Sequence, residues 1–138
     1  MHELPPEIAQ EAVLRDNEYA WRVESFPKAL AAAQSLGYAC LGGQFQFRLQ
    51  DAIYELYWVN ADSNDRLPQE TWPAYSQRSC FEVMEAFHQR LQDTDFIKLA
   101  HDWTDLRVAT ERGLDPMKAL VFVAYFVNEV ELTGLAHL

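Results

Sequence analysis

The chain has 138 residues, with 21 Asp and Glu against 11 Lys and Arg and a formal net charge of −10. That balance repels nucleic acid and anionic membranes, and it attracts basic partners over a range set by ionic strength. With 49% hydrophobic and 13% aromatic residues in a length suited to one domain, residues 1–138 should fold alone as a single globular domain.

In chain order, Pro5 and Pro6 read as the first turn of a helix. Glu7 sits at its positive end, Leu4, Ile8 and Ala12 lie on one face, and it frays near Asp16-Asn17. Ser25 and Pro27 open a second helix, Lys28 to Leu36, and Gly37 supplies its left-handed cap. From Tyr38 the hydrophobic period changes to two. Gln44 to Leu49 alternates strictly and Ile53 to Val59 follows, which predicts one antiparallel hairpin over about 38–59. A turn at Asp51-Ala52 would pair Arg48 with Glu55 and Phe47 with Leu56. Phe45, Phe47, Leu49, Tyr54, Leu56 and Trp58 then share the apolar face, and Gln44, Gln46, Arg48, Glu55, Tyr57 and Val59 the polar one. Gly42-Gly43 mark a bulge or bend.

Asn60 to Gln69 reads as a polar loop. A third helix spans about Thr71 to Gln92, with Trp72, Ser76, Cys80, Val83, Phe87 and Leu91 inward and Phe81 projecting off the apolar stripe. Asp95 caps a fourth helix with Phe96, Leu99, Trp103 and Leu106 inside, ended by Gly113. Asp115-Pro116 opens a fifth, Pro116 to about Leu132, with Gly134 beyond. The run Ala119 to Val127 is apolar all round, as in a covered central helix, with a buried strand as the competing reading. The expected fold is therefore α+β: about five helices packed with a single hairpin.

Cys40 and Cys80 read as buried free thiols of a reducing compartment. The N-terminal stretch has neither a basic nor an apolar leader region, and the nine-residue run Ala119–Val127 is about half a bilayer span. A cytoplasmic location follows as the expectation.

Cys80 and His88 share a helix, but eight residues place them about 12 Å apart along its axis, too far for a dyad. A calcium loop starting at Asp62 fails because Arg66, Leu67 and Pro73 stand where a ligand, a glycine and a Glu are needed. Asp93-Thr-Asp95 lacks a preceding nucleotide-binding unit, and Asp95 is better used as a cap. Asp102 and Asp105 read as a solvated helix face. No catalytic residue, cofactor or metal site is assigned.

What remains is the surface. Tyr57 and Phe81 are aromatic anchors, and Glu55, Asp62, Asp65 and Glu70 ring them, the pattern of a protein-binding site. The stretch Tyr38-Ala-Cys-Leu-Gly-Gly-Gln-Phe-Gln-Phe-Arg-Leu, with Glu55-Leu-Tyr-Trp and the loop to Trp72, resembles the immunity proteins of bacterial toxin systems. The resemblance is one of class and covers the middle third of the chain. It implies an inhibitor that binds a cognate toxin and neutralises it by occlusion, without a cofactor, and the excess of acid points to a basic surface on that toxin. An effector-escorting chaperone or adaptor, or a small enzyme with a scattered site, are the rival readings. A homodimer through the fifth helix has no support in the sequence.

Overall fold

The computed structural model describes residues 3–136, with side chains through residue 134. Seven helices and five strands lie in the described part: α1 (Pro6–Ala9), β1 (Ala12–Arg15), β2 (Glu18–Arg22), α2 (Phe26–Ser35), β3 (Ala39–Leu49), β4 (Ala52–Asp62), α3 (Trp72–Asp93), α4 (Phe96–Ala100), α5 (Thr104–Glu111), α6 (Pro116–Ala119), β5 (Leu120–Val127) and α7 (Glu129–Ala136). The strands form one antiparallel sheet in the order β1-β2-β5-β3-β4. The α+β class stands, but the single hairpin does not: two further regions contribute strands.

The first correction is at the N-terminus. The expected helix stops after one turn, and Ala12–Arg15 and Glu18–Arg22 form a second hairpin with Arg15 opposite Glu18. Asp16 and Asn17 both take positive φ, 52° and 65°, so this tight turn uses the two residue types that best tolerate the left-handed region after glycine. The second correction is β5. The run read as a helix is the central strand, flanked by β2 and β3. Strands covered on both faces lose their alternation, and the Val and Phe content fits a pleated sheet. The expected fifth helix survives only as α6, where Asp115 accepts from the Met117 amide at 3.0 Å, and as α7 beyond the strand. The fourth helix divides into α4 and α5 around residues 101–103, with Asp95 capping as expected through the Lys98 amide at 3.1 Å.

Helices α2 and α3 follow the sequence reading closely. Gly37 closes α2 with φ of 77°, and Thr71 caps α3 through the Ala74 amide at 3.3 Å. They seat an aromatic cluster against the sheet. Phe26 lies 4.6 Å from Phe122 and 4.9 Å from Phe87, and Phe45 lies 4.9 Å from Phe122, ring centre to ring centre. These four rings join α2, α3, β3 and β5, and each contact adds roughly 0.5–1.5 kcal/mol to the burial of the ring itself. Trp21 is buried too, its indole N–H satisfied by the Ile8 carbonyl at 3.1 Å.

The other face of the sheet is not the open polar strip that alternation suggests. Gln46 is fully buried, and the terminal nitrogens of Arg48 are shielded. Arg15 explains this by donating to the Leu49 carbonyl at 3.2 Å. In a flat sheet β1 and β3 would be about 14 Å apart, three strand spacings, beyond an arginine's reach. The sheet is therefore curled, with the β1–β2 tip brought over β3. Burial of Arg48 and the neighbouring charge of Arg15 hold its pKa below the usual arginine value.

Candidate functional site: an aromatic and acidic flank

The flank is built by a register change in β4. Near the turn, Phe47 pairs with Tyr54, Gln46 with Glu55 and Arg48 with Ile53, two residues from the expected register, so the expected Arg48–Glu55 pair is replaced. A slip of two leaves each side chain on its face. Further along, Phe45 still pairs with Leu56 but Gln44 pairs with Asn60, leaving Tyr57, Trp58 and Val59 on β4 opposite the break. This odd-numbered insertion reverses the faces: Val59 turns inward, while Trp58, expected in the core, stands 51% exposed beside Tyr57 at 69%.

Tyr57 and Trp58 meet edge to face at 5.0 Å, and Trp58 stacks on Trp103 at 6.5 Å. Trp103 is held from behind by Tyr54 at 5.4 Å and Phe47 at 6.3 Å, so the exposed rings rest on a packed base. Tyr54 donates its hydroxyl to Asp105 at 3.2 Å, and desolvation together with that carboxylate raises its pKa. Beside Trp58 a shallow groove of about 490 Å³ carries Asp93, Asp95 and Asp102 against Arg90 and Lys98. Arg90 is engaged with the Asn60 carbonyl at 3.1 Å.

From Asn60 onward the chain tracks α3 backwards. Asn60 touches Arg90, the Asn64 amide donates to Glu82 at 2.9 Å, and the Asp65 carbonyl accepts from Arg78 at 3.0 Å. Twelve helical residues separate Arg78 from Arg90, about 18 Å of helix. Tyr57, Asp62 and Asp65 are therefore strung along one flank, all exposed, with Glu55 on β4 just before them. Phe81, 61% exposed, lies one step round α3 from Arg78 and Glu82. Glu70 anchors the loop: both its oxygens accept from Arg78 at 2.7 Å, and the Leu67 amide adds a bond at 3.1 Å. The sequence reading missed Trp58 and Trp103 as members of this surface. No local signal marks a three-residue bulge inside an otherwise alternating strand.

The Arg78 hydrogen bonds hold the Glu70 carboxyl down at about 2. Its folded-state pKa lies below the ordinary value of about 4.3, so the stabilisation is fully present above that pH and is lost as pH falls toward 2. Glu70→Gln should flatten the decline of thermal stability in that window. A melting curve series from pH 6 to 2 checks this, and an unchanged slope refutes it.

Both cysteines are unbridged and buried. Burial raises Cys40 well above the ordinary thiol value and Cys80 to about 11, which suits packing and not nucleophilic attack. Among the described residues no group of three or more His, Cys, Asp or Glu is placed to hold a metal ion. No helix among them is long and apolar enough to cross a membrane. Searches against protein-family models, curated proteins and solved structures find no match to the chain.

Proposed function

We propose that the protein is an immunity-type inhibitor, acting in the cytoplasm, that binds a cognate toxin with a basic surface and occludes it through the β4–α3 flank. The observation that carries this reading is the bulge that places Tyr57 and Trp58 in solvent on a packed aromatic base, with Asp93, Asp95 and Asp102 in the groove beside Trp58. Exposed tryptophan and tyrosine anchors ringed by charge are the pattern of interface hot spots. Lys and Arg of a partner gain twice there, from the carboxylates and from the ring faces. The net charge of −10 supports steered encounter.

Co-purification with the product of the adjacent gene, followed by an activity assay on the complex, tests the reading. The expected result is a one-to-one complex in which the partner's activity is lost. A neighbour that does not bind refutes it, and a partner that keeps its activity in the complex marks an escorting adaptor instead. Charge reversal at Asp62 and Asp65 should slow association about tenfold at low salt and weaken its salt dependence, read by stopped-flow mixing. An unchanged rate would move the binding face elsewhere.

A further inference from the structure

A second feature lies at the far end of the sheet, where β2 and β5 part. Their ladder consists of Ala20–Val123, Trp21–Phe122 and Arg22–Val121, although β2 begins at Glu18 and β5 runs on to Val127. On its other side β5 stays paired with β3 as far as Ala39–Val127. Residues 124–127 thus present a strand edge toward β2 with no ladder partner among the described residues. Ala124, Phe126 and Val127 bury their side chains while the strand edge itself is left open, and an unpaired edge is a ready template for a further strand.

A mostly apolar cleft of about 740 Å³ opens along this edge, with α7 as its far wall. The two sides of the cleft differ. Tyr19 and Phe126 belong to the side facing the core, whereas Glu18 and Tyr125, one residue away on each strand, face the opposite way and are hydrogen-bonded to each other. No Lys, Arg or His lines the cleft among the described residues.

We infer that this cleft is a strand-addition site for an extended partner segment in which apolar and basic residues alternate. Its backbone pairs with the β5 edge, its apolar side chains lie on Tyr19 and Phe126, and its basic ones meet Glu18. Four residues of edge correspond to about 14 Å, the length of a four- to five-residue segment. The inference rests on the strand edge and not on the Tyr57–Trp58 flank, so either can fail alone.

The test is titration of the protein with the capped peptide Lys-Val-Lys-Val-Lys at low salt, followed by amide NMR. Saturable shifts are expected across residues 124–127, with slowed exchange at the alternate amides that point away from β3. An analogue N-methylated at every amide, and one with Glu in place of Lys, should each bind at least about tenfold more weakly. Gly134 lines the cleft, and a Cβ there meets nothing within 4 Å, so Gly134→Trp should block the peptide in a folded protein. The inference is overturned by no saturable binding at millimolar peptide, by equal binding of the N-methylated analogue, or by shifts centred elsewhere.

Discussion

Gly43→Ala should destabilise the protein by about 3 kcal/mol, roughly 10 °C in melting temperature for a domain of this size. A Cβ at this position would stand 1.9 Å from the Val123 carbonyl oxygen and 2.8 Å from the Phe122 ring. The first obstacle is backbone of the central strand, so relief requires β3 and β5 to separate at the ladder that holds the sheet. Phe122 cannot yield easily either, because it packs on Phe26, Phe45 and Phe87. Gly42 is constrained by a different cause, a φ of 131° and a Cβ position 2.7 Å from the Asp62 Cα. Gly134→Ala is the matched control. It meets nothing within 4 Å and sits in α7 without a positive φ, so helix propensity alone should make it neutral or stabilising by up to about 1 kcal/mol. Chemical denaturation of the two variants decides the matter; equal stability would mean that β3 and β5 do not approach as described.

Trp58→Ala carries the largest effect expected on binding, a loss of about 2 kcal/mol or more, near thirtyfold in Kd, expressed mainly as faster dissociation. Trp58 is half exposed and stacks on Trp103, so its truncation removes the anchor while the base of Trp103, Tyr54 and Phe47 remains. Stability should change little, because the core residues at the bulge are Leu56 and Val59. Phe81→Ala should also speed dissociation, by less, since among the described residues no ring packs against it as Trp103 does against Trp58. Surface plasmon resonance against the partner separates these rates. Wild-type kinetics for Trp58→Ala would remove this flank from the interface.

Parts of this structure that depend on nearby residues were legible in the sequence. Asp95 and Asp115 cap helices, and Gly37 ends one, because capping is chemistry within four residues of chain; Ser25 stands at the start of α2 but its side chain accepts no capping hydrogen bond. The inward stripe of α3, with Ser76, Cys80, Val83 and Phe87, followed from period alone. What depends on distant partners was hidden. The β1–β2 hairpin turns on Asp16-Asn17 without a glycine, so its turn looked like a frayed helix end. Strand β5 lost its alternation because its second face carries Val123 and Val127, buried like Phe122 and Phe126 on the first. The register near the β3–β4 turn was off by two, which kept the faces right and the cross-strand partners wrong.

The flank was half legible for the same reason. Glu55, Tyr57, Asp62, Asp65 and Phe81 were singled out by residue type, and the structure strings them along β4 and α3. Trp58 was assigned to the core because strict alternation puts it there, and only the three-residue excess in β4 reverses it. Glu70 was read as a contact, and its carboxylate is engaged by Arg78, which also holds the Asp65 carbonyl and so shapes the loop that carries Asp65.

Oxidative footprinting of the complex with the adjacent-gene product is the most direct measurement of the central claim, since exposed aromatic rings are what it labels. Tyr57, Trp58 and Phe81 should lose most of their labelling on binding, while Val13 and Leu14 on the β1 edge keep theirs. Undiminished labelling of Tyr57 and Trp58 in a verified complex would contradict the account.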